Sequence, residues 1–346
     1  MIPVPATPFR APGHVPIAVT TRGRGVESIH WGSVAVADLA GRVLHAAGEP
    51  GAVVFTRSAL KPLQALPFVR DGGPARFGYD RAQLALLCAS HSGEARHVDA
   101  VRDMLARAGN GPDDLQCGTH VPGHFEVRGE VPPPPPYSPL AHNCSGKHAG
   151  MLACCTLHGW RTGDYLDPGH PLQREIRAAV ATFSGVAEGD LASGIDGCSA
   201  PNYALPLAAL ARAYARLAAA DAADPDFGAA PATLRDAMVA LPEMVSGAGR
   251  SDAALMAAGR GDWVAKIGAE GVQAIGIASL GIGIAVKVAD GAKRALLPAV
   301  VAVLDQLGVL DAGRRAALAP LAQPDVTNYR GLVTGTIEPV VELAPR

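Results

Sequence analysis

The chain has 346 residues, 49% hydrophobic and 18% charged, with a formal net charge of −2. That balance builds a large folded core and excludes a disordered chain. Near-neutral charge with singly scattered Arg and Lys leaves no footprint for nucleic acid or a membrane surface. No apolar run reaches the ~18 residues of a membrane span. Met1-Ile2-Pro3-Val4-Pro5 lacks the basic and apolar regions of a signal peptide, so a cytoplasmic protein is expected. In that compartment the six cysteines are thiols or metal ligands rather than disulfides.

Residues 15–55 read as β structure. Val34 and Val36 alternate with small residues, Ala40-Gly41-Arg42 supplies a turn, and a second strand runs from Val43 to Ala47. A turn at Arg57-Ser58-Ala59-Leu60-Lys61-Pro62 then opens a helix carrying Leu63, Leu66 and Phe68, which Asp71-Gly72-Gly73-Pro74 stops. Asp80 is placed to cap a short helix ending at Cys88. The polar knot Ser90-His91-Ser92-Gly93-Glu94 follows, then a helix with Val98, Val101, Met104 and Leu105 on one face. Residues 116–142, with five prolines at 132–136, read as an irregular surface excursion. Helices are expected from Ser145 through Cys155, after Pro171, and over about 205–220, with a turn-rich segment at 193–201.

The last third returns to strands. Ile282, Ile284, Val286 and Val288 alternate with Gly281, Gly283, Ala285 and Lys287, which gives one bulky and one bare face. The apolar helix after Gly291 is the natural candidate to cover the bare face, and Ile337 to Leu343 reads as a closing strand. The order predicts an α+β fold in a single domain over 1–346. An antiparallel sheet is built from both chain ends, about 15–55 and 263–345, around a helical region of about 58–260.

Chemistry gathers at a few places. Ser58 and Lys61 stand at i and i+3, which share a face in an α- or 3₁₀-turn. A neighbouring unprotonated lysine is one way to activate a serine hydroxyl, although the same spacing also fits a helix with a capping serine. Cys144 and Lys147 repeat that spacing at a helix start. Thiolates favour zinc or another soft ion, and isolated cysteines equally serve as core residues. Ser145-Gly146-Lys147 lacks the leading glycine and strand of a phosphate loop, and His148 reads as a core histidine.

Five motifs in order, Arg57 to Pro62, Ser90 to Glu94, Asn143 to Met151, Asp196-Gly197-Cys198 and Lys266 to Gly271, carry a resemblance to a known family. From about residue 16 onward the chain resembles the asparaginases typified by the inducible enzyme of Rhizobium. The resemblance implies a fold like serine β-lactamases and penicillin-binding proteins, usually as a homodimer. It implies L-asparagine as substrate, Ser58 as nucleophile, Lys61 as its base, and Ser90 with Lys266 as a second Ser-Lys pair. It also implies zinc on Cys144, Lys147 and Cys198, with Asp196 orienting a ligand. Arg57, His91, Glu94, Arg250 and Glu270 lie in or near the motif loops and are candidates for the substrate's α-amino and α-carboxylate groups. The rival readings are a glutaminase or β-lactam-type hydrolase on the same fold, and a non-catalytic zinc- or amino-acid-binding protein.

Overall fold

The structure, a computed structural model, describes residues 10–346; the stretch read for a signal peptide lies outside them. In chain order the strands are β1 (Val15–Arg22), β2 (Gly25–Asp38), β3 (Val43–Ala47), β4 (Val53–Phe55), β5 (Ala192–Ile195) and β6 (Pro201–Pro206). Then come β7 (Trp263–Gly268), β8 (Val272–Ile277), β9 (Ile282–Val288), β10 (Asp325–Thr327), β11 (Val333–Pro339) and β12 (Ala344–Pro345). The main sheet runs β10-β11-β1-β2-β9-β8-β7, with β3 also on β2 and β12 on β3, and all its pairings are antiparallel. Both chain ends thus build one sheet around an inserted helical region. The α+β expectation is borne out.

The bare face of β9 is covered, but by a different helix from the one expected. Gly283 lies opposite Gly276 of β8 and Ala37 of β2, and Ala285 lies opposite Ala274 and Ala35. This floor of small residues receives the Leu207–Ala219 helix. A Cβ on Gly283 would collide with the Ala211 carbonyl, and one on Gly276 with the Tyr214 carbonyl. The helix after Gly291, Lys293–Gln306, packs instead on β1, β9 and β11. The Leu207 helix wins the glycine floor because it meets it through the small residues Ala211, Ala215 and Ala218 and the backbone of Tyr214, so two backbones can approach closely.

Segment 193–201, expected as turn-rich, keeps its turn at 196–200 but is flanked by the strands of a β5–β6 hairpin, which β4 completes into a second small sheet. The excursion at 116–142 contains a short helix, Gly123–Arg128. Helices Ala230–Ala240, Pro242–Val245, Ser251–Gly259 and Ala312–Ala322 and strand β10 were not anticipated. Alanine-rich helices show weak apolar periodicity, because alanine is at home on buried and exposed faces alike. Among the described residues no helix is long and apolar enough to cross a membrane, and all six cysteines are free and buried.

Candidate active site

The Arg57–Leu60 segment is a 3₁₀ turn running directly into the Lys61–Arg70 helix, whose first turn holds Pro62. Proline there loses no helical hydrogen bond. The small sheet pins this turn. Thr56 N–H and Oγ1 both donate to the Tyr203 carbonyl, at 3.3 and 2.8 Å. Asn202 brackets Arg57, accepting from its N–H and donating to its carbonyl, both at 3.1 Å. Tyr214 donates to the Ala59 carbonyl at 2.8 Å. These clamps hold Arg57 at a φ of 50°, in the left-handed region that a non-glycine residue seldom adopts. Strand β7 closes against the turn at Gly268, where a Cβ would lie 2.5 Å from the Thr56 carbonyl oxygen.

Ser58 is half-buried, and Lys61 and Ser90 are buried. The Lys61 amine lies 2.9 Å from Ser90 Oγ, with the Ala89 carbonyl also accepting from it and the Asn143 carbonyl at 3.5 Å. Among the described residues no side-chain hydrogen bond joins Ser58 to Lys61, nor Ser90 to Lys266. The structure therefore brings the first lysine to the second serine. Lys266 is engaged elsewhere: its amine donates to Asp252 Oδ2 at 3.1 Å and to the Ile267 carbonyl at 2.9 Å. Both side chains of that ion pair are fully buried, and Gln273 donates to the other Asp252 oxygen at 3.2 Å. Burial pulls the Lys266 amine down to about 8, with Lys61 and Arg250 adding repulsion and Asp252 opposing them. Burial likewise pushes the neighbouring Cys88 thiol up to about 12.

Cys144, Lys147 and Cys198 are buried together, with the Lys147 amine 3.0 Å from Cys198 Sγ. A hydrogen bond with Cys198 is the main cause holding the Cys144 thiol well below its ordinary value. Burial opposes it, and the charges of Lys61 and Lys147 assist. Among the described residues no three His, Cys, Asp or Glu side chains converge as a metal cage, so a site here would depend on the lysine. The donor set nonetheless fits a soft ion: two sulfurs, one amine, and a buried His148 Nε2 that has no hydrogen-bond partner and feels Cys198. The other ring nitrogen of His148 meets the Tyr165 hydroxyl at 2.7 Å, in line with a core histidine.

The candidate substrate-binding residues separate. Arg57 Nε donates to Asp196 Oδ1 at 2.7 Å, so its guanidinium is already paired. His91 points into the core, 2.9 Å from Ser145 Oγ and stacked on His97 at 5.0 Å, and burial keeps its imidazole well below the ordinary value. Glu94 caps the Ala95–Arg107 helix, accepts from Ser92 Oγ at 2.6 Å and Ala248 N at 3.1 Å, and pairs with Arg96. Arg250 precedes the Ser251–Gly259 helix and lines an apolar groove with Pro242 and Ala253. Arg57, Asp196 and Glu270 together line a cavity of about 480 Å³.

Sequence reasoning missed Asn202, Asp252 and Lys287. Asp252 follows Ser251 at a helix start, where an acid is ordinarily read as exposed, and nothing local reveals that the helix buries it. Asn202 lies just past the segment 193–201 that reads as turns. Only its pairing with Arg57, 145 positions away, reveals its task.

The sequence profile of the L-asparaginase II family matches residues 18–339. The buried amines and serines described above thus belong to an amidohydrolase. No curated protein matches the chain. Among solved structures it is similar to a β-lactamase from Mycobacterium bovis, at 16% identity over 84% of this chain and 95% of that one, with a TM-score of 0.37. The chain belongs to the L-asparaginase II family.

Proposed function

We propose that the protein is an L-asparaginase that hydrolyses the side-chain amide through an acyl-enzyme on Ser58. The observation that carries this reading is the placement of the Lys61 amine against Ser90, one helical turn beyond Ser58 in a chain of this family. Burial separates the two serines. Ser58 is half-buried and open to a substrate carbon, whereas Ser90 is only 4% exposed. Ser58 is accordingly the nucleophile and Ser90 the relay. A neutral lysine amine has two N–H bonds and one lone pair. In the structure the Lys61 amine donates to Ser90 Oγ and to the Ala89 and Asn143 carbonyls; once neutral, with the two carbonyls taking its hydrogens, its lone pair would be left for the Ser90 hydroxyl.

In the first step Ser58 Oγ bonds to the carboxamide carbon, and its proton passes to the Lys61 amine directly or across Ser90. That proton then goes to the departing nitrogen. Ammonia leaves as the C–N bond breaks, and a β-aspartyl ester remains on Ser58. Water adds to the ester carbon, its proton taken by the same amine, and aspartate departs with the Ser58 hydroxyl restored. The Lys61 and Lys266 amines act on each other through charge, and Lys61 is one of the causes that lower the Lys266 value.

Zinc on Cys144, Lys147 and Cys198 is part of the proposal; a bound ion there would supply Lewis-acid polarisation. Lys147 must then give up its proton, which a nearby cation favours. Six free thiols support a cytoplasmic setting. Metal analysis and sedimentation of the purified protein test the zinc and the homodimer. The decisive assay compares ammonia release from asparagine and glutamine and turnover of a chromogenic β-lactam. Preference for asparagine is expected; preference for either other substrate overturns the assignment in that substrate's favour, and binding without turnover points to a non-catalytic protein.

A further inference from the structure

The cavity beside the nucleophile turn carries charges that the catalytic reading does not use. Lys287 lies on its wall together with Arg57, Asp196 and Glu270. Across the sheet Lys287 is paired with Val272, and Val272 with Gly268, so the three share one row and one face. Gly268 is the residue that touches the turn holding Ser58. Two strand spacings put the Lys287 backbone about 10 Å from Gly268, on the same face.

The charge inventory of the cavity is uneven. Arg57 is neutralised by Asp196 at 2.7 Å. Lys287 has no carboxylate within ion-pair distance among the described residues, and its amine donates to two backbone carbonyls, Glu270 and Val288. A lysine ammonium has three N–H bonds, so one is left for a ligand. Glu270 is exposed at the rim, without a cationic partner among the described residues. It is also held at a φ of 59°, in the left-handed region. Of the four non-glycine residues with such a φ among those described, Arg57 and Glu270 border this cavity and Ser199 adjoins Cys198. Strained backbone of this kind persists where surrounding structure enforces it, and it gathers at ligand sites.

We propose that this cavity is the subsite for the α-amino-acid head group of the substrate, with Lys287 taking the α-carboxylate and Glu270 the α-ammonium. The inference rests on the asparaginase reading and makes it specific. An unpaired cation and an unpaired anion on one wall match a zwitterion. Lys287 replaces Arg57 as the carboxylate partner because the Arg57 charge is already spent on Asp196. The cavity's volume leaves room for ordered water around so small a ligand.

Calorimetric titration separates the two charges. The host is Ser58→Ala, which removes turnover, and the ligands are L-asparagine, succinamate (no α-amino group) and 3-aminopropanamide (no carboxylate). Adding Lys287→Met is expected to weaken asparagine and succinamate at least about tenfold and to leave 3-aminopropanamide unchanged. Adding Glu270→Gln is expected to weaken asparagine and 3-aminopropanamide and to spare succinamate. Lys287→Arg keeps the charge and should recover most of the affinity. Equal weakening of all three ligands by Lys287→Met, unaltered asparagine binding, or no binding to the Ser58→Ala host would each overturn the proposal. Failure of the asparaginase reading looks different: the parent enzyme then releases no ammonia from asparagine although the ligand pattern holds.

Discussion

Replacing Asp252 by Asn probes the most deeply buried charge in the site. Asp252 and Lys266 are both fully buried, 3.1 Å apart, and the charged groups that act on Lys266 are Asp252, Lys61 and Arg250. With Asp252 present, Lys266 stays charged up to about pH 8. Its value is depressed from 10.5, so the native state releases this proton before the unfolded chain does. This group's penalty on folding is therefore full below pH 8 and is relieved as pH rises from about 8 towards 10.5. Asparagine at position 252 removes the attraction and widens that window downward, so Lys266 gives up its proton at a lower pH than in the parent. An unpaired buried ammonium would otherwise cost about 3–5 kcal/mol.

If the Lys266 charge serves catalysis, kcat at pH 7 should fall about a hundredfold, the scale of losing one fixed electrostatic contact in a site. Part of that loss should return as the pH is lowered and Lys266 is reprotonated. Ammonia release measured from pH 5 to pH 10 reads both effects, with the parent losing activity as pH rises through about 8. A variant with the parent's alkaline limb and kcat within about twofold would refute the role of this pair, whatever happened to its melting temperature.

Other expectations follow from the same geometry. Lys266→Ala should lower kcat strongly, and normal asparagine hydrolysis by it would remove Lys266 from the proton circuit. Asn202→Ala releases both backbone bonds of Arg57 and should cost about 1–3 kcal/mol in urea denaturation. It should also lower kcat more than it raises KM, because Ser58 is the next residue. Gly283→Ala drives a methyl into the Ala211 carbonyl and should destabilise by about 3 kcal/mol or more. Unfolding curves matching the parent would mean that the Leu207–Ala219 helix does not rest on that floor. Cys198→Ser should lower the zinc content found by metal analysis of purified protein, and full metal retention would place any ion elsewhere.

The layout of the fold was legible where side-chain size alternates or a turn punctuates the chain. The β2–β3 hairpin, the Asp80 cap and strand β9 follow directly from such patterns. Helices built largely of alanine were not, and neither was the choice of helix for the glycine floor. That choice depends on two backbones meeting from segments some 70 residues apart. At the site, spacing offered Ser58 and Lys61 as candidates and the family resemblance added Ser90 and Lys266, but neither gave their hydrogen-bond partners. The crossing of Lys61 to Ser90 and of Lys266 to Asp252 arises from burial, which decides where an amine finds its acceptors.

The central claim is covalent attachment at Ser58, and peptide mass spectrometry of an acid-quenched reaction tests it most directly. Enzyme mixed with excess L-asparagine should carry one aspartyl ester on the peptide containing Ser58, and Lys61→Met should abolish both the adduct and ammonia release. An adduct on Ser90, or steady ammonia release by Ser58→Ala, would contradict the account.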